Sequence, residues 1–526
     1  MQRSSLGPEA EGDATRELGR VVFERSLAEL GRELGAGNLT SEAVVSAYLE
    51  RIRALDQGGP RLGSVIETNP DALGVARELD AERRAKGARG PLHGVPILLK
   101  DNIDTADATR TAAGSLALAE SFAQQDSGVA ARLRAAGAVL LGKANMSEWA
   151  NFRSTRSVSG WSGRGGQCHN PYALDRSPSG SSSGSGAAVA ASLCSAAVGT
   201  ETDGSIVAPA SANGVVGFKP TVGLVSRAGI IPIAHSQDTA GPMARTVEDA
   251  VLLLAAMQGS DPRDPATADV PASGLIDPVE VLRLDGLEGV RLGILRGFVI
   301  AHPEVERQFE ALLGVLRAAG AHLVDDLAMP HLGEWRDSET EVLLYEFKHG
   351  LDAYLGGLPE SGQPRTLEEL IEFNLASSGR SMPLFGQELL ILAQAKGPLT
   401  ESTYLEALTT GRRMCREDGI DGLLAKHGLD ALISPTMGPA SLIDQVLGDP
   451  KRPGGSAAGP AAVAGYPHAT VPAGTVHGLP WGLSIFSTAW RDAQVLRYAY
   501  AFEQATMARR VPRLLATVEL QPGVAV

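Results

Sequence analysis

Cysteine is scarce in this sequence of 526 residues, which contains only Cys168, Cys194 and Cys415, far apart along the chain. Three scattered thiols are too few for a disulfide framework. No group of Cys, His and carboxylate residues has the spacing of a metal site. The sequence therefore predicts a protein without structural disulfides, without a bound metal and without a cofactor that depends on one.

Positive charge is also in short supply, since 47 Lys and Arg stand against 61 Asp and Glu, a net charge of −14. This balance argues against nucleic acid or an anionic membrane as the main partner. Residues 1–17 are acidic and lack the apolar run of a signal peptide. The longest uncharged run, residues 177–200, has an apolar part too short to span a bilayer. We therefore expect a cytoplasmic protein that binds neither nucleic acids nor membranes.

Short apolar runs separated by helical patterns indicate the fold class. Two clear helical patterns occupy residues 38–56 and 303–319. The apolar runs are residues 95–99, 138–141, 290–295 and 431–433. Such alternation predicts an α/β protein built on a buried, parallel or mixed sheet. Residues 333–420 differ, because they are charged and helical throughout, with a capping box at Thr366–Glu369, and we expect them to form a peripheral layer.

The region from 150 to 245 is dense in Gly, Ser and Thr, and three interpretations of its neighbourhood carry little weight. Residues 137–143 match a phosphate-binding loop, but Ala144 replaces its Mg²⁺-binding hydroxyl and the middle of the match is a strand. Residues 180–184 match the nucleophile elbow of α/β-hydrolases, but residues 170–178 are a poor strand; a distant triad His stays possible. A flexible Gly-Ser linker would not run into a helix of small residues.

The residue types favour serine chemistry with a lysine base. A serine hydroxyl needs an adjacent base, and Lys100 follows an apolar strand, where burial can keep its amine neutral. Ser181 lies among residues small enough for close backbone approach, as a proton relay requires. The turn 202–205 offers consecutive backbone N–H groups that suit an oxyanion. Taken alone, a lysine after a strand is more often structural, and we assign that role to Lys143 and Lys219.

Three segments together resemble the amidase signature family: residues 94–102, 177–186 and 199–210. The likeness continues at residues 142–146, 217–221, 238–242, 465–467 and 479–482. It covers roughly residues 40–250 and 425–505. The resemblance implies an α/β/α fold with a central mixed sheet covered by helices on both faces. It further implies one domain over residues 1–526, with a signature core at 80–250.

The resemblance also assigns roles to individual residues. It implies that Ser205 is the acyl-forming nucleophile, that Ser181 is the bridging cis-serine and that Lys100 is the base. The two serines are 24 residues apart, as the family pattern requires. Backbone N–H groups of Thr202, Asp203 and Gly204 would form the oxyanion hole. No cofactor and no metal take part in such a triad.

Residues 157–166 and 221–227 resemble the peptide-amidase branch of the family. This implies hydrolysis of the C-terminal carboxamide of peptides or amino-acid amides, with specificity shaped by residues 333–420. Many family members have Gly at the position of Asp203 and Arg at that of Val207, and we interpret both departures as features of the branch.

Other functions remain open at this point. The protein could be an aryl acylamidase, a general aliphatic amidase or the glutaminase subunit of a tRNA-dependent amidotransferase. It could also be a binding protein that has kept the fold without the activity. We expect a monomer or a homodimer that acts on a small-molecule or peptide amide.

Overall fold

A mixed sheet of 11 strands organises the molecule. The computed structural model describes residues 19–298, 302–360, 362–450 and 456–520. Residues 1–17, on which the expectation about a signal peptide rests, lie outside this part. The strands are β1 Val65–Thr68, β2 Pro96–Lys100, β3 Val139–Ala144, β4 Trp161–Ser162, β5 Gly166–Gln167, β6 Ala196–Glu201, β7 Val216–Lys219, β8 Thr239–Ala244, β9 Arg291–Leu295, β10 His322–Leu327, β11 Ala431–Pro435, β12 His468–Val476 and β13 Leu479–Phe486.

The strand order is β1-β3-β2-β6-β8-β7-β12-β13-β11-β9-β10, and β4 pairs with β5 in a separate ribbon. Strand β2 runs parallel to β3 and to β6, whereas β6 pairs antiparallel with β8. Every residue of β2, β3, β6, β7 and β8 is buried, which explains their nearly uncharged sequences. The predicted mixed sheet is confirmed. Because residues 139–144 form β3, they cannot be a phosphate-binding loop.

Helices cover the sheet, as the predicted fold class requires. They are α1 Leu27–Gly35, α2 Ser41–Arg51, α3 Ala72–Lys86, α4 Gly128–Ala135, α5 Ser183–Ala190, α6 Val207–Ala212, α7 Val247–Met257, α8 Pro278–Val281, α9 Pro303–Ala318, α10 Arg336–Gly357, α11 Leu367–Ala376, α12 Ser378–Ser381, α13 Glu388–Gln394, α14 Ser402–Cys415, α15 Asp421–His427, α16 Gly459–Ala464 and α17 Asp492–Thr506. Helices α5 and α6 are buried almost throughout, because Gly, Ala and Ser let them approach the strands closely.

The two predicted helices are present. Helix α2 begins after Thr40, whose Oγ1 accepts a hydrogen bond from the N–H of Ala43 at 3.1 Å. The helix does not run unbroken to residue 56, because residues 52–57 form a π-helical turn. Helix α9 begins at Pro303, where the missing N–H costs no hydrogen bond.

Helices α10 to α14 form the expected helical layer from the charged region. The apolar side of α10 packs through Phe347 against Phe152, with ring centroids 5.1 Å apart. The predicted capping box is only half right. Thr366 accepts from the N–H of Glu369, but the Glu369 carboxylate accepts from the N–H of Arg365 at 2.7 Å instead of that of Thr366. The Glu369 carboxylate therefore bonds to the residue before the N-cap, and the reciprocal bond of a capping box is not formed.

Across the described residues, none of the helices combines the length and the hydropathy that a membrane span requires. The three cysteines are all buried and free, in agreement with the expectation that they form no disulfide framework.

Candidate active site

Lys100 is the last residue of β2, and its side chain is fully buried. Its Nζ lies 2.8 Å from Oγ of Ser181, 2.9 Å from Oγ1 of Thr200 and 3.1 Å from the carbonyl oxygen of Thr200. Thr200 lies on the adjacent strand β6, and Nδ2 of Asn102 donates to its Oγ1 at 3.0 Å. Two neighbouring strands therefore hold the amine against the Ser181 hydroxyl.

Burial lowers the pKa of Lys100 to about 7, because the charged ammonium loses its hydration inside the protein. The negative charges of Glu201 and Asp238 oppose this shift without cancelling it. A pKa near 7 gives the amine a substantial neutral fraction at neutral pH. Lys100 can therefore accept a proton under ordinary conditions, which an exposed lysine cannot do.

Ser181 follows a cis peptide bond from Gly180 and is fully buried. Its carbonyl oxygen accepts from the N–H of Ser147 at 3.1 Å, and the next residue, Ser182, donates its N–H to the carbonyl oxygen of Ser205 at the same distance. Any Cβ at Gly184 would collide with the backbone carbonyl of Ser64. The small residues of this segment are therefore required by close backbone contacts.

Ser205 ends a tight turn between β6 and α6, and 8% of its surface is exposed. Gly204 has a φ of +78°, a conformation that glycine adopts without strain. Glu201 stabilises the turn, because its Oε2 accepts hydrogen bonds from the N–H groups of Ile206 at 2.7 Å and Val207 at 3.0 Å. Within the described chain, the N–H groups of residues 202–204 have no hydrogen-bond acceptor, so they are available to a ligand.

Two consecutive residues hold Thr202 at the start of this turn. Its Oγ1 donates to Oδ1 of Asp238 at 2.6 Å, and its carbonyl oxygen accepts from Nε2 of Gln237 at 3.2 Å. The other oxygen of Asp238 accepts from the N–H groups of Ile233 and Ala234, both at 2.9 Å. Burial raises the pKa of Asp238 to about 6 despite these hydrogen bonds. The segment 233–238 thus forms a rigid support for the turn.

Two more charged side chains lie near the turn. Asp203 has an exposed surface, and desolvation together with the charge of Glu201 raises its pKa. Lys219 is fully buried; its Nζ lies 3.4 Å from the carbonyl oxygen of Pro220, and burial lowers its pKa to about 8. Because Lys219 makes no hydrogen bond to either serine among the described residues, the geometry agrees with a structural role.

Two cavities lie close to the turn 202–205, one of them lined by Thr202 and the other by Ala208 of α6. One, of about 200 Å³, is lined by the apolar residues 230–233 together with polar and charged side chains, among them Asn102, Thr202, Asp238, Arg227 and Asp264. The other, of about 230 Å³, is lined by Ser177, Ser179, Ala208, Met437 and Ser456 among others. Thr202 and Ala208, on either side of Ser205 in the chain, therefore face different cavities.

The chain is similar to known proteins over most of its length. The amidase family model matches residues 43–496. The chain belongs to the amidase family. It is an amide hydrolase, and this decides against the interpretation as a binding protein without activity.

Individual relatives match this amidase over nearly its whole length. A probable amidase from Arabidopsis thaliana is 41% identical over 507 residues, which cover 94% of this chain and 92% of that protein. The native peptide amidase from Stenotrophomonas maltophilia is 51% identical, with a TM-score of 0.88 over 93% of this chain and 98% of that one. One subunit of the glutamyl-tRNA(Gln) amidotransferase from Alkalilimnicola ehrlichii is 36% identical over 94% of this chain and 99% of that protein.

Sequence reasoning missed part of the site of this amidase. Thr200 and Asn102 lie inside the motifs that carried the resemblance. Their polar side chains, close to Lys100 in these motifs, were the feature from which a contact with Lys100 could have been predicted. Gln237 and Glu339 had no such signal, although Nε2 of Gln237 donates to Oε1 of Glu339 at 2.9 Å. Trp149 is buried in an apolar cluster.

In the part of the amidase that the structure describes, no three His, Cys, Asp or Glu side chains converge so as to hold a metal ion. Oε2 of Glu201 and both carboxylate oxygens of Asp238 accept hydrogen bonds from backbone N–H groups or from the hydroxyl of Thr202, whereas Oε1 of Glu201 has no partner among the described residues. These two side chains therefore act as structural acceptors that shape the turn.

Proposed function

We propose that this amidase removes ammonia from the C-terminal carboxamide of peptides or amino-acid amides through a Ser205–Ser181–Lys100 triad. The observation that carries the proposal is the 2.8 Å hydrogen bond between the buried Lys100 amine and Ser181, next to the Ser205 turn. The likeness to a peptide amidase over 93% of the chain supports the choice of substrate.

Acylation begins when Oγ of Ser205 attacks the carboxamide carbon. The new C–O bond forms while the Ser205 proton passes to Ser181, whose own proton passes to the neutral Lys100 amine. The N–H groups of Thr202, Asp203 and Gly204 stabilise the oxyanion. The C–N bond then breaks, and the leaving nitrogen takes the proton back from Lys100 through Ser181, so that ammonia departs and Ser205 carries the acyl group.

Deacylation repeats these steps with water as the nucleophile. Lys100, neutral again, accepts a proton from the attacking water through Ser181, and the same backbone N–H groups stabilise the second tetrahedral intermediate. The ester bond to Ser205 breaks, the serine oxygen regains its proton, and the product leaves as a carboxylic acid. The cycle consumes one water and needs no cofactor, metal or partner protein.

The helical layer at 333–420 is proposed to select the substrate within a single domain spanning residues 1–526, with its core at 80–250. Helix α10 packs through Phe347 in the same apolar cluster as Ile231 and Ile233, which line one of the two cavities. Because the helical layer packs against the residues that form this cavity wall, it can distinguish acyl groups by their size. In this proposal the leaving-group side is closed, so that a primary amide fits and a continuing peptide chain does not.

The test offers a peptide amide and the same peptide extended by one residue, and it follows ammonia release and product masses. The proposal predicts ammonia from the carboxamide of each and no internal cleavage. Aryl acylamides and short aliphatic amides are offered in parallel, and Ser205→Ala from the same preparation is the control for contaminating activity. Cleavage within a peptide, or preference for aryl acylamides over every peptide amide, would overturn the substrate assignment.

A second candidate function is that of a glutaminase within an amidotransferase complex, because the amidotransferase relative matches this chain over 99% of its own length. That function would require a partner protein to receive the ammonia. Purification from the native host followed by glutamine turnover distinguishes the two. Turnover of peptide amides by the isolated chain favours the first function, whereas glutamine turnover that depends on a co-purifying partner favours the second.

A further inference from the structure

Gln237 connects the helical layer to the turn that carries Ser205. Only 2% of its surface is exposed. Its Nε2 donates to Oε1 of Glu339 on α10 at 2.9 Å and to the carbonyl oxygen of Thr202 at 3.2 Å. A backbone carbonyl can only accept, so the amide nitrogen must be the group that faces Thr202. The orientation of the Gln237 amide is thus determined by its partners.

The hydrogen bond to Thr202 controls the direction of an N–H group. The carbonyl of Thr202 and the N–H of Asp203 belong to one planar trans peptide, so the two groups point in opposite directions. Holding the oxygen on Gln237 therefore turns the Asp203 N–H the other way. The bond from Thr202 Oγ1 to Asp238, at 2.6 Å, prevents the residue from rotating as a whole.

Helix α10 holds the supporting segment at two places. Besides Glu339, which is 8% exposed, Glu346 of the same helix is 1% exposed. Its Oε2 accepts from the N–H of Ser236 at 2.9 Å, and its Oε1 accepts from the hydroxyl of Tyr404 at 2.7 Å. Burying two carboxylates in one helix face is costly unless they are hydrogen-bonded. Both carboxylates accept hydrogen bonds, and the bonds from Gln237 and from the N–H of Ser236 hold these two residues against α10.

We propose that Gln237 and Glu339 are positioning residues that aim the Asp203 N–H at the oxyanion of the transition state. Neither side chain needs to touch the substrate. Through them, the helical layer affects the rate of the chemical step as well as substrate choice. The inference rests on the proposed Ser205 mechanism, since it concerns the same oxyanion.

The primary test is Gln237→Met, which keeps the side-chain length but removes the donor. Loss of one oxyanion donor lowers rates by about 10²–10³-fold, and misdirecting one should cost about 10–100-fold in kcat with KM changed by less than about threefold. A peptide aldehyde, whose adduct with Ser205 mimics the tetrahedral intermediate, should bind more weakly by the same factor. Binding of intact peptide amide, measured in a Ser205→Ala background, should not change.

Two further variants keep the test decisive. Glu339→Gln retains an acceptor for Gln237 and should stay within about threefold of wild type, whereas Glu339→Leu should lose kcat as Gln237→Met does. Gln258→Met is the matched control, because Nε2 of Gln258 also donates to a backbone carbonyl, that of Ile276 at 2.8 Å, outside the site. It should leave kcat unchanged.

The outcomes separate this inference from the mechanism beneath it. If Ser205→Ala is inactive while Gln237→Met keeps wild-type kcat and aldehyde affinity, the positioning role is wrong and the mechanism stands. If Gln237→Met and Gln258→Met lose activity equally, the effect is one of general stability and the inference is likewise overturned. If Ser205→Ala retains turnover, the proposed function itself fails.

Discussion

Two neighbouring strands of this amidase carry fully buried lysines in different surroundings. Lys100 ends β2, and Lys143 lies on β3, where it pairs with Leu99, the residue before Lys100. Burial lowers the pKa of both amines. Both lysines are thus fully buried and desolvated on adjacent strands, but their amines have different hydrogen-bond partners and different charged neighbours.

The contacts of Lys143 are structural. Its Nζ donates to the carbonyl oxygen of Ile103 at 2.5 Å and to Oγ1 of Thr111 at 2.9 Å, and the charges of Asp101 and Asp104 partly offset the lowering of its pKa. Lys100 instead donates to the hydroxyl of Ser181 at 2.8 Å. Burial lowers the pKa of both amines, but only Lys100 has a serine hydroxyl as its partner, and we propose that this contact makes Lys100 the base.

The largest effect is expected at Lys100. Lys100→Met removes the proposed base but keeps the volume of the side chain, so kcat/KM for a peptide amide should fall by at least about 10³-fold. Ammonia release measures the rate, and thermal unfolding checks that the fold persists. A folded Lys100→Met enzyme that retains a tenth of its activity would remove the distinction between the two lysines.

Lys143→Met should produce the opposite pattern. The carbonyl of Ile103 and the hydroxyl of Thr111 lose a buried donor, which should lower the free energy of unfolding by about 1–3 kcal/mol. Per folded molecule, kcat should stay within about threefold of wild type. Denaturant unfolding and active-site titration measure the two quantities. Unchanged stability together with abolished turnover would mean that Lys143 acts in catalysis.

The pH dependence follows from the environment of Lys100. Because the base acts only when neutral, kcat/KM should be low below its pKa, rise through about 7 and then level off at higher pH. A pH–rate profile with a substrate that does not titrate measures this. If the rise vanished on replacing a histidine in a folded variant, the base would be that histidine and not Lys100.

A smaller shift is expected in Glu201→Gln. The charge of Glu201 raises the pKa of Lys100 and so opposes the effect of burial, and removing it should move the rising limb to lower pH. The amide oxygen can still accept from the N–H groups of Ile206 and Val207, which keeps the turn in place. Asp238, the other charge that acts on Lys100, is unchanged. If the rising part of the pH–rate profile kept its position or moved to higher pH, the charge of Glu201 would not raise the pKa of Lys100.

Chelation should have the smallest effect. Since neither lysine environment contains a metal-ligand set among the described residues and the proposed cycle uses only Lys100, Ser181, Ser205 and backbone groups, dialysis against EDTA should leave kcat and KM unchanged. A loss of rate that Zn²⁺ or Mn²⁺ restores would require a different mechanism.

The sequence predicts some features of this amidase and not others for physical reasons. The contact between Lys100 and Ser181 is predictable because both residues lie in local motifs, and helix α2 is predictable because Thr40 caps an amphipathic pattern. The contact between Gln237 and Glu339 is not, because 102 residues separate two single polar side chains that belong to no pattern. The charged sequence predicted a peripheral helical layer at residues 333–420, yet Glu339 and Glu346 of this layer are buried and accept hydrogen bonds from Gln237 and from the N–H of Ser236.

The most direct test of the central claim is mass spectrometry of enzyme quenched with acid during turnover of a peptide amide. We expect an acyl adduct, heavier by the peptide acyl group, on the proteolytic fragment that contains Ser205. Lys100→Met should accumulate it far more slowly, and Ser205→Ala should not form it. An adduct on another residue, or rapid turnover by Ser205→Ala without any adduct, would contradict the account.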